Sequence, residues 1–400
     1  MSFNKQTVRD ADVSGKRVLL RCDFNVPLDK NTGEILSDKR ICASLPTIRY
    51  LLDRGARVIV CSHLGRPNGE FVQKLSLAPV ANRLSELLRV PVVFANDAGG
   101  EDSLKKAAQL KDGGIMFLEN IRFYKGEEEN DPEFAKKLAA LGDLYVNDAF
   151  GTVHRAHAST VSVASFLPAY AGLLLEKEIT LMSRVLSEVK YPSIAILGGA
   201  KVSDKILLIK KLVDTQDAIL IGGGMAYTFL KGLGHDIGTS LFEADRLREA
   251  MDVYNKASEE GVRLLLPIDH VTGDKFSADC KRFEVDGVDI PDGQMGLDIG
   301  PKTIDMFIRT IKDAGTIIWN GPMGVSEFPG FENGTKLVAE AVADCPGMTI
   351  VGGGESAAAV SKYGLEGKIT HVSTGGGASL RFLEGTELPG IACLLNKTGG

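Results

Sequence analysis

The sequence predicts an α/β protein made of two doubly wound parallel-sheet (Rossmann-like) domains joined by a helix and hinge. Three observations lead there. Short apolar, β-branched runs alternate with helical segments along all 400 residues, and the alternation restarts after an amphipathic stretch near the middle. The chain also exceeds the roughly 250–300 residues at which single cores stop growing. Strand–helix alternation of this kind builds a parallel sheet with helices on both faces.

The first set of strands is read in RVLL (17–20), RVIVCS (57–62), VVFA (92–95), IMFLEN (115–120) and DLYVND (143–148). Next comes AGLLLEKEITLMSRVLSEVK (171–190), where Leu174, Ile179, Leu181, Met182, Val185 and Leu186 fall near helical spacing with charges between them. A connecting helix is expected there. The second set is SIAILGG (193–199), AILIGGG (218–224), RLLLP (263–267), TIIWNGP (316–322), MTIVGGG (348–354) and THVSTGGG (370–377). The expected domains are therefore 1–170 and 191–385, with the helix 171–190 between them.

A hydrophobic content of 44% with 24% charged residues is that of an ordinary globular chain. No apolar run approaches the roughly 20 residues that a membrane span needs. The opening MSFNKQTVRDADVSGKRV lacks the apolar stretch of a signal peptide, and the six cysteines form no CxxC pair. A soluble, cytoplasmic protein with reduced thiols and no zinc site is expected. Residues 1–170 hold 23 Lys and Arg against 21 Asp and Glu, and residues 171–400 hold 23 against 31. That balance lacks the clustered basic face of a nucleic-acid binder, yet leaves room for a local anion site in the first half.

Glycine concentrates in the second half, with 33 of 45 residues there, and sits at strand ends. In open α/β sheets ligands lie beyond the carboxyl ends of strands, where glycine lets backbone N–H groups approach an anion. The second domain is expected to hold a phosphate-rich ligand. No GxxxxGK[ST] cradle occurs. Gly352, Gly354 and Ala357 fit the GxGxxA of a dinucleotide fold, but THVS ends in glycines where a ribose-binding acid belongs. In LGGAKVSDK, Lys201 follows the strand and its glycines, with Lys205 expected one helical turn on, so that both amines face one site. WNGPMGVSEF is a strand-end turn whose Asn320 and Glu327 suit ribose hydroxyls or a metal, although turn chemistry alone would also explain it.

In the first half, RCDFNVP alternates Arg21, Asp23 and Asn25 onto one face at a strand end. SHLGRP, ENIRF and GTVHRAH add His63, Arg66, Arg122, Arg155 and His157 at or just beyond other strand ends, and Arg40 opens a helix. Any one arginine is by default a surface charge. Several at one edge would repel one another unless an anion neutralised them, and guanidinium forks match carboxylate and phosphate bidentately. A basic pocket for a small phosphorylated acid is expected. HRAH lacks the HExxH pattern of a zinc helix. The residues alone leave open a two-domain NAD-dependent dehydrogenase and a non-enzymatic two-lobed anion-binding protein.

RCDFNVPLD, SHLGRP, LENIRF, GTVHRAH, LGGAKVSDKI, IGGGMAYTFL, WNGPMGVSEF and STGGGASL, in this order, resemble the phosphoglycerate kinase family from end to end. The resemblance implies reversible phosphoryl transfer between 1,3-bisphosphoglycerate and ADP, giving 3-phosphoglycerate and ATP, with Mg²⁺. It implies a triose-binding amino-terminal domain and a nucleotide-binding carboxyl-terminal domain, with the tail 386–400 packed back on the first. The matching triose contacts are Asp23, Asn25, Arg40, His63, Leu64, Gly65, Arg66, Arg122 and Arg155, with Arg21 nearby. The matching nucleotide contacts are Lys201, Lys205, Gly296, Asn320, Glu327 and the run Gly353, Gly354, Glu355 and Ser356, with Glu355 on the metal. Arg40, Lys201 and the amides of Gly375, Gly376 and Gly377 would act on the transferring group. Two departures stand out: Cys22 in place of valine, and Glu355 in place of the usual aspartate. Because both acceptors are already ionised, no catalytic base is required. A monomer acting on small molecules is expected, with hinge closure joining the two reactants.

Overall fold

The computed structural model describes residues 3–29 and 31–397. The chain divides into two compact units, one running to Thr180 and resuming at Glu387, the other spanning Leu181–Thr386. The division falls inside the helix Leu173–Ser187.

The first unit is built on β1 (Arg17–Arg21), β2 (Arg57–Cys61), β3 (Val92–Phe94), β4 (Ile115–Phe117), β5 (Leu144–Asn147) and β6 (Ala169–Ala171). All neighbours are parallel, in the order β3-β4-β2-β1-β5-β6. Successive residues of β1, β2, β4 and β5 are buried, which requires both faces to be covered. Val18, Leu20, Val58, Val60, Ile115, Phe117 and Val146 form one face's core, with Ile41, Ile48 and Leu51 of the helix Lys39–Asp53 packed on it. Cys22 belongs to this core as well. Leu19, Ile59, Met116 and Tyr145 fill the opposite face. The helix Pro132–Ala139 shows why such segments start where they do. Asp131 accepts from the N–H groups of Glu133 and Phe134, and Pro132 sits where no donor is needed. The tail rejoins this unit through Lys5, whose Nζ donates to the carbonyls of Ala392 and Leu394 at 2.9 Å.

The second unit contains β7 (Ser193–Leu197), β8 (Ala218–Ile221), β9 (Arg263–Leu265), β10 (His270–Gly273), β11 (Arg282–Val285), β12 (Met295–Ile299), β13 (Thr316–Asn320), β14 (Met348–Gly352) and β15 (His371–Val372). Six of these form a parallel sheet in the order β15-β14-β13-β7-β8-β9. Ile194, Ile196, Leu220, Ile317, Trp319 and Val351 meet Ile304, Phe307 and Ile311 of the helix Pro301–Ile311 and Val338 and Val342 of the helix Asn333–Asp344. Among the described residues no helix is long and apolar enough to cross a membrane.

Each expected strand has a counterpart. The structure adds β6 and an antiparallel three-stranded sheet, β11-β10-β12. These strands are three to five residues long, too short to show a period against their surroundings. One local expectation is corrected: Lys205 is not a helical turn beyond Lys201. The helix there begins only at Ile206, residues 203–205 form a turn, and Lys205 stands at its N-cap. The reason is local, since Lys205 Nζ folds back onto the carbonyl of Gly198 at 2.7 Å.

Candidate functional site

The order β4-β2-β1-β5 sets four strand ends side by side in the first unit. From them issue the segments carrying Arg122, His63 to Arg66, Asp23 to Asn25, and Arg155. Asn120 ties two of these together. Its Oδ1 accepts from Leu64 N at 3.3 Å and from Arg122 N at 3.1 Å, and its Nδ2 donates to the carbonyls of Leu64 and Leu75. Asn25 Oδ1 accepts from Gly65 N at 2.9 Å. Gly65 has φ +65°, and a Cβ there would lie 2.8 Å from Leu75, so only glycine suits this turn.

Asp23 pairs with Arg40, and its other oxygen lies 3.9 Å from His63 Nδ1. Arg122 is buried and donates through one guanidinium nitrogen to the Gly65 carbonyl at 2.8 Å. Its Nε and remaining terminal nitrogen have no hydrogen-bond partner among the described residues, although Glu128 lies 3.3 Å from Nε. Burial, followed by the charges of Arg21, Arg122, Arg40 and Arg155, holds His63 well below the usual imidazole range. Four arginines thus act on one neutral histidine. Arg66 is exposed, and Arg155 is half-buried with its Nε on His154 Nε2 at 3.1 Å.

Arg21 differs from the rest. It is 1% exposed, and three of its nitrogens are engaged by Ser159, the Cys22 carbonyl and His63. His157 lies behind the site, 3.7 Å from the buried Glu127, and burial lowers its pKa to about 4.

In the second unit the order β15-β14-β13-β7-β8 brings together the segments 375–377, 353–356, 320–327, 198–201 and 222–224. A cavity of about 470 Å³ opens there, lined by Gly199, Gly223, Gly224 and Gly296, by the apolar Leu241, Phe276 and Met295, and by Glu327 and Glu355. Lys201 is exposed, and Lys205 is buried. Burial pulls the Lys205 pKa down, opposed by the charges of Glu355 and Asp204.

Gly353 has φ +89° and precedes the helix Gly354–Lys362, which places the exposed Glu355 in its first turn. A Cβ at Gly353 would lie 3.0 Å from Asn320 Nδ2, a buried donor without a partner among the described residues. Ser356 Oγ is already occupied, accepting from Gly321 N at 2.6 Å. Of the three amides expected bare at 375–377, that of Gly375 is taken by Ser373 Oγ at 3.1 Å, because the turn into the helix Gly377–Leu383 folds onto that side chain. Among the described residues no group of three or more His, Cys, Asp or Glu could hold a metal. A hard cation shared between one carboxylate and ligand phosphates needs no such group, so the exposed Glu355 fits Mg²⁺ in that form.

Sequence reasoning passed over Asn120, Glu127, Ser159 and Tyr227. Asn120 carried a signal, an amide at a strand end before a turn. The other three lie within helical or loop segments with no distinguishing spacing.

A phosphoglycerate kinase family profile matches residues 8–386. The phosphoglycerate kinase of Dictyoglomus turgidum is 56% identical over 393 residues, covering 98% of each chain, and that of Clostridium botulinum strain Hall is 52% identical over 400 residues, covering 99% of this chain and all of its own. The solved structure of phosphoglycerate kinase from Coxiella burnetii superimposes with a TM-score of 0.85 at 42% identity, covering 97% of this chain and 98% of its own. Two parallel six-stranded sheets, an arginine-rich edge on one and a glycine-lined cavity at the other are therefore the features of a chain that belongs to the phosphoglycerate kinase family.

Proposed function

We propose that the two strand-end sites divide the phosphoglycerate kinase reaction between them, the first unit holding the triose and the second the nucleotide with Mg²⁺. The reaction moves a phosphoryl group between 1,3-bisphosphoglycerate and ADP, giving 3-phosphoglycerate and ATP, a step of glycolysis. The observation that carries the assignment is Arg122, whose buried guanidinium keeps two nitrogens without hydrogen-bond partners among the described residues. A buried donor of that kind is costly unless a ligand accepts from it. A phosphate or carboxylate oxygen is the acceptor a guanidinium suits best.

Asp23, Asn25, Arg40, His63, Leu64, Gly65, Arg66, Arg122 and Arg155 would frame the triose. Lys201, Lys205, Gly296, Asn320, Glu327 and the segment Gly353–Ser356 would frame the nucleotide. The carboxylate and the ADP phosphate are both ionised acceptors, so the protein's task is positioning and charge neutralisation. Arg40 and Lys201 would neutralise charge on the oxygens of the moving group, and the amides of Gly376 and Gly377 would donate to those oxygens. Mg²⁺, held by Glu355 together with the nucleotide phosphates, would supply further neutralisation. The same reading takes the protein as a cytoplasmic monomer with small-molecule substrates and no nucleic-acid or membrane partner.

The test is a coupled assay of ATP formation, with calorimetry of each substrate alone on the full chain. Transfer together with separate saturable binding of 3-phosphoglycerate and of ADP is expected. Loss of both bindings in an Arg122→Ala variant would defeat the division into two sites.

A further inference from the structure

We propose that Arg21 is a positioning residue, anchored by a buried Glu127–Ser159 pair, that fixes His63 in the tautomer with its hydrogen on Nε2, so that the ring offers the triose a donor. This rests on the triose reading of the first unit and goes beyond it by assigning Arg21 a target inside the protein.

Arg21 ends β1, and its side chain turns into the protein. Nε donates to Ser159 Oγ at 2.9 Å, one terminal nitrogen donates to the Cys22 carbonyl, and the other lies 3.2 Å from His63 Nδ1. A guanidinium has five N–H donors, no acceptor, and stays charged at any pH the protein meets. The contact with Nδ1 therefore has one possible direction: Nδ1 accepts with its lone pair. A neutral imidazole has one ring hydrogen, which must then be on Nε2. The opposite tautomer would set two hydrogens against each other at Nδ1 and turn a lone pair toward any bound anion.

The anchor explains how a guanidinium can be held so deep. An unbalanced buried charge is strongly destabilising. Ser159 Oγ, which accepts from Arg21, donates to Glu127 Oε1 at 2.7 Å, and Ser159 N donates to Glu127 Oε2 at 2.9 Å. Glu127 is fully buried. Tyr145 holds the backbone of this relay by donating to the Ser159 carbonyl at 2.8 Å. Burial pushes the Glu127 carboxyl pKa up, and Arg21 and Ser159 oppose that rise. The chain of contacts Glu127, Ser159, Arg21, His63 is thus one in which each hydrogen has a fixed direction. Among the described residues Asp23 is the carboxylate paired with Nδ1, at 3.9 Å, and it is committed to Arg40.

The experiment is ¹⁵N NMR of the full chain labelled at its six histidines, without ligand, with the His63 signals assigned by their loss in His63→Asn. An imine-type Nδ1 and a pyrrole-type Nε2, unchanged from pH 5.5 to 8, are expected. A protonated Nδ1 or an imidazolium in the wild-type protein would overturn the proposal, with no variant needed. Ser159→Ala should then mix the tautomers and raise the KM for 3-phosphoglycerate at least fivefold, with the KM for ADP within twofold. Ser159→Thr, which keeps the hydroxyl, should restore both. Wild-type tautomer and KM in the alanine variant would remove Ser159 from the relay and defeat the anchor. A correct tautomer whose Nε2 signal ignores added 3-phosphoglycerate would count against the triose reading and leave the tautomer assignment standing.

Discussion

Gly296 in β12 is pressed against the ring of Tyr227: a Cβ at 296 would stand 1.8 Å from the Tyr227 hydroxyl and 2.1 Å from its Cζ. Both residues line the cavity of the second unit. Gly296→Ala therefore has to displace a buried aromatic ring, and overpacking of that order costs about 1–3 kcal/mol. The expected outcome is a rise of about tenfold or more in the KM for ADP, with the KM for 3-phosphoglycerate unchanged. Adding Tyr227→Phe should rescue little, because the ring carbon alone already collides. Full recovery in the double variant would mean that the hydroxyl, and not the ring, sets the constraint.

Arg122→Ala should raise the KM for 3-phosphoglycerate by about 10- to 100-fold, the range expected for lost hydrogen bonds to a charged group. Calorimetric ADP affinity should stay within twofold, since Arg122 belongs to the other unit. Arg122→Lys should recover little of the loss, because an ammonium cannot both hold the Gly65 carbonyl and present a planar fork.

For Arg40 the split between constants should be the reverse. Its guanidinium is tied to Asp23 and part-exposed, and under the proposed function it would strengthen its contacts as charge builds on the moving group. Arg40→Ala should lower kcat by on the order of 10³-fold while changing the KM for 3-phosphoglycerate far less. Steady-state kinetics showing a raised KM with kcat intact would assign Arg40 to ground-state binding instead.

The sheets were legible in the sequence because each long strand is a run of β-branched and apolar residues buried on both faces, as with SIAIL and TIIWN. The strands β10 to β12 were not, since HVTG and RFEV carry no run long enough to separate from a loop. The arginines that meet at His63 were legible as strand-end charges. The inward turn of Arg21 was not, because it depends on Ser159 and Glu127, which arrive from distant parts of the chain. Lys205 shows the same limit, since its spacing from Lys201 says nothing of the Gly198 carbonyl that captures its ammonium.

Asp298 is buried in β12, accepts from Ile299 N at 2.9 Å and Gly334 N at 2.8 Å, and has its pKa pushed up to about 7, chiefly by burial. An unfolded aspartate titrates near about 4. A folded pKa above the unfolded one means that the stability it brings is fully present below about pH 4 and is lost as the pH rises through about 7. Between pH 5 and pH 8 this residue should cost on the order of 2 kcal/mol. Asp298→Asn removes the titration. Although the variant loses an acceptor, the stability difference between wild type and variant in urea should shift in the variant's favour by that amount as pH rises. A difference constant over this range would place the Asp298 pKa outside it.

Glu355 presents the sharpest choice between a structural and a metal role. It occupies the first turn of the helix Gly354–Lys362, where a carboxylate is favoured by the positive end of the helix dipole. The N-cap of that helix is Gly353, and among the described residues no side-chain cap closes it. The side chain is exposed and lines the cavity, and its charge reaches Lys205. A carboxylate free of capping duty, at the rim of a glycine-lined cavity, is suited to a cation shared with polyphosphate oxygens. Glutamate is one methylene longer than aspartate and must fold back or act through a water. Glu355→Gln should therefore raise the Mg²⁺ concentration for half-maximal rate at subsaturating ADP, and calorimetry should find weaker MgADP binding with metal-free ADP nearly unchanged. Glu355→Asp should keep most activity. A magnesium titration in the glutamine variant that overlays the wild type would leave Glu355 with no role beyond its interaction with the helix dipole.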